Sequence, residues 1–331
     1  MNKGDLIGKY KLIQKLGKGS FGEVWLAIDT YIEQKCALKI LPSAFTDVAS
    51  KLEEARNGNM VSHNNLLQIY SADVYMTTNR DAVVVIAQKY YPNGTIESKL
   101  NSCNFLPTPL LLKILKDILL GLEYLHNGQI VHNDIKPGNI LLDEQGNGIL
   151  SDYGISGISV SGNPIDAKNA YLPHQAPESK IDNKIDFQTD IYQLGCTAYR
   201  LANCISDCSF CQFQPYVPSK IVSIIKKALN KDADKRYKTA LEMRRDLEKC
   251  FFPGYWTTDV NNEFVGIGKK YEYRFNTNFK VGGFFDFNAI QTNKESGRET
   301  KVSNFCKKNL KKRDFEKIKK EYFEWVINNA K

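Results

Sequence analysis

The chain has 331 residues and a mass of 37.6 kDa, with 42% hydrophobic, 11% aromatic and 25% charged residues, a composition that excludes a disordered chain. With only 22 Gly and 11 Pro, collagen-like and low-complexity structures are excluded as well. Of the net charge of +8, residues 251–331 carry +6, from 16 Lys/Arg against 10 Asp/Glu, so this segment is expected to have a docking role or a partner of its own.

The first hundred residues predict strands with one helix. Residues 10–16 and 23–28 alternate around a Gly-rich turn and predict a hairpin, and residues 36–41 predict a third strand. Residues 47–60 have helical character. The Val/Ile run at 82–87 predicts a buried strand.

Helical periodicity dominates from residue 110 to residue 250. Apolar residues at helical spacing predict helices at 110–126, 190–202, 220–229 and 239–250. A strand-rich part followed by a helical part therefore follows from periodicity alone.

The last 80 residues predict a short antiparallel meander at 251–290, a polar loop at 291–300 and an amphipathic helix at 307–328. The helix combines basic residues with one apolar stripe, formed by Phe315, Ile318, Tyr322, Trp325 and Val326. Its polar face fits ordinary solvation, an acidic or nucleic-acid partner, or an anionic membrane surface.

Membrane and export signals are not expected in this sequence. Residues 1–12 lack an apolar core of signal-peptide length, and Lys113, Lys116 and Asp117 interrupt the most apolar stretch. Eight cysteines without an export signal predict reduced thiols and a cytoplasmic location. Cys204, Cys208 and Cys211 are compatible with a metal site, redox sensing or small buried side chains.

Four short sequence features stand out in residues 17–154. Gly17, Gly19 and Gly22 lie in a G-x-G-x-x-G turn, which lets the backbone approach phosphates but also fits a flexible hairpin tip. Lys39 lies on an otherwise apolar strand, where its charge needs a partner. Downstream come an H-N-D-I-K-P-G-N run at 132–139 and a D-Y-G triplet at 152–154.

Together with Ala-Pro-Glu at 176–178, Asp190 and Arg236, these motifs resemble the eukaryotic-type (Hanks-type) protein kinase family in a bacterial-like form, over residues 10–250. The resemblance implies an α+β, bilobal protein-kinase fold, with a β-rich N-lobe at about 1–91 and a helical C-lobe at about 92–250. Residues 251–331 would form a small basic α+β appendage.

The resemblance also implies a role for each motif residue. Lys39, oriented by Glu54, would hold the ATP phosphates; Asp134 would orient the substrate hydroxyl and Lys136 would neutralise phosphoryl charge. The Mg²⁺ (or Mn²⁺) ligands would be Asn139 and Asp152. The implied ATP contacts further comprise Gly17, Gly19, Ser20, Phe21, Gly22, Val24, Ala37, Lys89, Tyr91 and Leu141. The implied structural residues are His132, Glu178, Asp190 and Arg236.

The implied activity is transfer of the ATP γ-phosphate to Ser/Thr hydroxyls of proteins, because Lys136 marks the Ser/Thr type. Asn133 replaces the family's Arg, and no Thr lies between Gly154 and Ala176, so control by activation-loop phosphorylation is not expected. The Thr that the family places just before Ala-Pro-Glu is also missing, and Gly58 replaces a bulky residue in the predicted first helix. A pseudokinase scaffold, a small-molecule phosphotransferase and a nucleic-acid-binding module are the alternatives.

Overall fold

A computed structural model describes residues 1–19, 22–42, 62–76, 82–102, 105–152, 157–158, 165–166, 171–205 and 212–330. The chain forms two compact units. Met1–Ile96 and Asp117–Asp190 make up the first unit, and Glu97–Lys116 and Ile191–Lys331 make up the second.

The first unit begins with a six-stranded antiparallel sheet. Its strands are β1 (Leu6–Ile7), β2 (Tyr10–Gly19), β3 (Gly22–Asp29), β4 (Gln34–Pro42), β5 (Ile69–Met76) and β6 (Ala82–Lys89), in the order β1-β2-β3-β4-β6-β5. Alternate residues such as Leu12, Trp25, Leu38 and Val85 bury one face of the sheet in a common core. The sheet contains the predicted strands at 10–16, 23–28, 36–41 and 82–87, whereas the predicted helix at 47–60 lies outside the described residues.

Short paired strands follow in the first unit. They are β7 (Ile130–Val131), β8 (Ile140–Leu142), β9 (Gly148–Leu150), β10 (Gly157–Ile158), β11 (Ile165–Asp166) and β12 (Lys184–Ile185). Strands β7 and β10, β8 and β9, and β11 and β12 pair antiparallel. The β8–β9 hairpin joins the 132–139 run to Ser151 and Asp152, so it sets the distance between the two motifs.

The helices of the described residues are α1 (Ile96–Ser102), α2 (Thr108–Asn127), α3 (Ser179–Asp182), α4 (Phe187–Asn203), α5 (Ser219–Ala228), α6 (Ala240–Glu248) and α7 (Lys312–Asn329). Four helices lie where periodicity predicts them. For α6, the Thr239 side chain accepts a hydrogen bond from the Glu242 N–H and caps the first turn. None of the helices in these ranges is long and apolar enough to cross a bilayer.

The second unit contains a six-stranded antiparallel sheet covered by α7. Its strands are β13 (Tyr255–Thr258), β14 (Phe264–Ile267), β15 (Tyr271–Lys280), β16 (Phe284–Asn293), β17 (Glu299–Lys301) and β18 (Lys307–Leu310). Strands β13 to β17 follow in sequence order, and β18 pairs with β16. The sheet and α7 enclose an aromatic core of Trp256, Tyr273, Phe287, Tyr322 and Phe323, each at most 1% exposed. The Trp256 Nε1–H donates to the Phe323 carbonyl at 3.1 Å.

The end of the chain differs from the sequence-based expectation in two places. Residues 307–310 form β18 rather than the start of the helix, because they pair with β16 and the Asn309 N–H donates to Asp286 Oδ1. Asn309 has a left-handed φ of 56°, and α7 starts only at Lys312. The predicted polar loop at 291–300 is shorter than expected and covers residues 294–298, since Gln291 pairs with Thr300 across β16 and β17.

The C-terminal sheet packs against helical residues of the same unit. The Phe264 ring lies 5.7 Å from the Phe105 ring and 5.5 Å from the Tyr216 ring. At the edge of this contact, the Ser219 hydroxyl donates to Glu324 Oε1 at 2.7 Å. Residues 251–330 therefore share a core with Phe105 and Tyr216 of the same unit. A domain boundary at residue 250 stays a prediction.

Candidate active site

Two polar side chains of the 132–139 run converge on the carboxylate of a third residue, Asp134. The Lys136 ammonium lies 3.0 and 2.7 Å from the two oxygens of Asp134. The Asn139 amide nitrogen donates to the Asp134 backbone carbonyl at 2.8 Å and to its Oδ2 at 2.7 Å. Asp134 itself is only 7% exposed, so these contacts hold its carboxylate in a fixed orientation.

The loop that carries Asp134 is held from below by Asp190, in the first turn of α4. Both oxygens of this fully buried carboxylate accept backbone N–H groups, from His132 and from Asn133, at 2.8 Å each. The His126 Nε2 lies 2.9 Å from the same carboxylate. Asp190 therefore satisfies two backbone donors of this buried loop.

His132 is a packed side chain whose hydrogen bonds fix its tautomer. Its Nδ1 accepts the Asp134 N–H at 3.2 Å, and its Nε2 lies 3.1 Å from the Ser151 carbonyl, which can only accept. The ring is therefore neutral with the proton on Nε2. Burial lowers the pKa of His132, although the carboxylates of Asp190 and Asp134 act in the opposite direction.

Lys39 and Asp152 form an ion pair across 113 positions of sequence. The Lys39 ammonium lies 2.5 Å from Asp152 Oδ1, and 39% of the Asp152 side chain stays exposed. Desolvation acts to raise the pKa of Asp152, but the charge and hydrogen bond of Lys39, together with the charge of Lys136, outweigh it, and the pKa lies below its usual range. Asp152 is thus ionised at neutral pH and able to bind a cation.

Asn139 and Asp152 fit the donor set that Mg²⁺ prefers. The Ser151 N–H and hydroxyl both donate to the Asn139 carbonyl, at 2.9 and 3.0 Å, which sets Asp152 beside Asn139. The Asn139 amide nitrogen is engaged by Asp134, so its oxygen is the atom left for a cation. One carboxylate and one amide oxygen suffice for an ion that also binds substrate phosphates. No cluster of three or more His, Cys, Asp or Glu occurs in the described ranges.

Two residues that the sequence analysis did not predict as site residues line the same loop. The Lys136 ammonium lies 4.7 Å from the centre of the Tyr171 ring, a cation–π contact. The Tyr171 ring meets the His174 ring edge-on at 5.2 Å, and His174, 1% exposed, lies 2.8 Å through Nδ1 from the Ile135 carbonyl. Tyr171 lies in the stretch before Ala-Pro-Glu from which the family's Thr is missing, so a different side chain contacts Lys136 there.

The glycine turn closes the β2–β3 hairpin, and Gly19 pairs with Gly22. A Cβ on Gly22 would meet the Ile40 carbonyl oxygen at 2.1 Å, whereas one on Gly17 would meet nothing within 4 Å. Gly22 is therefore required for the close packing of β3 on β4. Ser20 and Phe21 lie outside the described residues.

The remaining predicted nucleotide contacts lie on neighbouring strands. Val24 pairs with Lys39 across β3 and β4, and Ala37 pairs with Gln88 across β4 and β6. Leu141 is half-buried on β8.

Two of the implied ATP contacts lie at the end of β6: Lys89 is its last residue, and Tyr91 follows two positions later. The Lys89 N–H donates to the Gln68 carbonyl at 2.9 Å, so it is already engaged within the protein. The Tyr91 carbonyl accepts from the Gly94 N–H at 3.2 Å. The Lys89 N–H and the Tyr91 carbonyl are therefore engaged within the protein, and the ATP contacts implied for these two residues stay a prediction.

Of the other predicted residues, some lie outside the described residues and some have contacts that do not test their predicted role. Glu54 lies outside the described residues, as do Cys208 and Cys211, while the Cys204 thiol lies 3.6 Å from the Leu201 carbonyl. Glu178 directly precedes α3, and Arg236 donates from Nε to the Asn230 carbonyl at 2.7 Å. The resemblance further implies an ion pair between Glu178 and Arg236, and this pair stays a prediction.

The neutral state of His132 makes folding depend on pH. An unfolded chain binds a proton at this histidine near pH 6.5, but the folded chain binds it only at lower pH. We therefore expect the free energy of unfolding to fall as the pH drops through about 6.5, by at most about 1.4 kcal/mol per pH unit from this group. Urea unfolding at several pH values measures this loss.

Substitution H132Q is the control for that measurement, because Gln offers a donor and an acceptor but does not titrate. We expect H132Q to be less stable at neutral pH yet to lose less stability on acidification. An equal loss in both proteins would show that His132 does not carry the pH dependence.

Comparison with known proteins assigns the family. Residues 10–247 match the protein kinase domain family. Serine/threonine-protein kinase PrkC of Bacillus subtilis is 28% identical over 269 residues, which cover 74% of this chain and 41% of PrkC. The probable serine/threonine-protein kinase SCO3848 of Streptomyces coelicolor is 29% identical, and PknB of Mycolicibacterium smegmatis 26%, each over 73% of this chain. The chain spans about two fifths of the length of these relatives. The family and fold expected from the motifs are confirmed, and the chain belongs to the protein kinase family.

Proposed function

We propose that this chain is a protein kinase that transfers the γ-phosphate of ATP to Ser/Thr hydroxyls of protein substrates, with Mg²⁺ or Mn²⁺. The observation that carries the proposal is the convergence of Lys136 and Asn139 on the Asp134 carboxylate, beside an ionised Asp152 paired with Lys39. Phosphoryl transfer needs positioning and charge neutralisation more than covalent chemistry, and these side chains offer both.

Asp134 supplies the proton acceptor. The substrate hydroxyl donates its hydrogen to this carboxylate, which orients the oxygen toward the γ-phosphorus. As the new O–P bond forms and the bond to the β-phosphate oxygen breaks, the proton passes to Asp134 and ADP leaves with the bond's electron pair. The Asn139 amide keeps the carboxylate in place throughout.

Cations of the chain neutralise the phosphates. Lys136, held 2.7 Å from Asp134, offers its ammonium to the transferred group, and Lys39 offers its own to the nucleotide phosphates. A divalent ion bound by Asp152 and Asn139 would neutralise charge on the phosphate oxygens. Lys39 need not stay on Asp152 when phosphates are present, because the pair is partly exposed and can exchange partners.

Two further points support the Ser/Thr type and a cytoplasmic location. Lys136 is the residue type that the Ser/Thr branch has two positions after its catalytic Asp, and the relatives compared above are named serine/threonine-protein kinases. Among the described residues, the thiols of Cys36, Cys250 and Cys306 are free, which fits a reducing compartment.

The first test is phosphate transfer from labelled ATP to a generic protein substrate. We expect D134N to lower kcat at least about a hundredfold, because the proton acceptor is lost. The matched control is D234N, whose carboxylate is 89% exposed and forms only a surface ion pair with Lys238. Transfer by the wild-type chain at the level of D134N would instead identify a pseudokinase scaffold.

The second test concerns Tyr171, a positioning residue for Lys136. We expect Y171A to lower kcat about three- to tenfold, the loss of one cation–π contact, while the KM for ATP stays unchanged. Y171F keeps the ring and should retain the wild-type kcat. Equal losses in Y171A and Y171F would contradict a role for the ring face.

The third test concerns regulation. Asn133 is neutral, buried and bound to Asp190 through its N–H, so it supplies no cation for an activation-loop phosphate. We expect the triple variant S156A/S159A/S161A to keep its kcat within about twofold of the wild type. Loss of activity on dephosphorylation of the wild-type chain, absent from the triple variant, would refute this independence.

A further inference from the structure

The hairpin between β15 and β16 exposes apolar side chains at its tip. Phe279 is 71% exposed, Val281 is fully exposed and Phe284 is 38% exposed. Gly282 and Gly283, with φ of 91° and 80°, form the turn. Because these side chains stay in water, they gain none of the free energy of burial that stabilises the other aromatic side chains of the sheet.

The tip is firmly attached to the fold rather than free. Phe285, which faces Phe279 across the hairpin, stacks on Phe315 of α7 with ring centres 4.6 Å apart. Lys280 pairs with Asp286 at 2.9 Å and donates to Asn309 Oδ1 at 2.8 Å. The apolar side chains are thus presented on a rigid support.

A basic segment lies beside the tip. Residues 307–313 contain five basic and no acidic side chains, and β18 pairs Leu310 with Phe285, at the tip end of β16. Helix α7 starts at Lys312 and places Phe315 on Phe285. The five side chains are exposed, and in the described part of the chain none forms an ion pair: Lys307, Lys308, Lys311, Lys312 and Arg313.

We propose that this tip, Phe279–Phe284 with the basic segment 307–313, docks the chain on an anionic lipid surface. Anionic headgroups would neutralise the lysines, and the acyl boundary would take up Phe279 and Val281. Two features favour this partner: the charge complementarity between the basic segment and anionic headgroups, and the exposed apolar side chains of the tip. A nucleic acid would match the lysines equally well, but it offers no apolar interior for an exposed aliphatic side chain such as Val281.

The test is flotation of the full chain with vesicles of phosphatidylcholine, with and without phosphatidylglycerol. We expect binding only to the anionic vesicles. F279S should weaken it about tenfold through loss of apolar insertion, and K308Q/K311Q about tenfold or more through loss of charge.

Matched controls lie at the other end of the same sheet. Phe251 is 79% exposed and precedes β13, and Lys269 and Lys270 precede β15, at the end opposite to Phe279. F251S and K269Q/K270Q should bind as the wild type does.

Three outcomes overturn the proposal. They are equal flotation with neutral and anionic vesicles, equal losses in tip and control variants, and retention of full binding by F279S with salt-sensitive binding of polyuridylate at comparable strength. The last result would assign the basic segment to a nucleic acid instead. Phosphate transfer to a soluble substrate is measured separately, so failure of this proposal leaves the proposed kinase activity untouched.

Discussion

The buried carboxylate of Asp190 organises the catalytic loop. It accepts hydrogen bonds from the backbone N–H groups of His132 and Asn133. From His132 the hydrogen bonds continue to the Asp134 N–H and the Ser151 carbonyl, one residue before Asp152. One carboxylate therefore positions both the proposed proton acceptor and the proposed cation ligand, and a neutral His132 ring connects them.

The local part of the site could be predicted from sequence. Asp134, Lys136 and Asn139 lie within six positions, so their short separation along the chain keeps their side chains close together. The ion pair of Lys39 and Asp152 joins residues 113 positions apart and was not predicted, because the resemblance implied Glu54 as the carboxylate that orients Lys39. Tyr171 could not be predicted. Its contact with Lys136 depends on how the chain folds back at residues 171–174, and no motif encodes that return.

The C-terminal segment shows where periodicity fails. Alternation predicts β13 to β16, and the apolar stripe predicts most of α7, because each pattern is local. Residues 307–310 continue the basic character of the helix, so nothing local marks them as a strand; they become one through pairing with β16. The same holds for β17, whose polar residues form a ladder with residues 290–292.

The contact of Phe264 with Phe105 and Tyr216 bears on how this protein can be divided. A chain cut after residue 250 would lose Phe264 and Phe323, whose rings pack against Phe105 and Tyr216, and would expose an apolar surface that favours association with other molecules. The C-terminal sheet thus covers apolar side chains of the residues before 250. Any fragment meant to contain residues 10–247 in folded form has to keep this sheet.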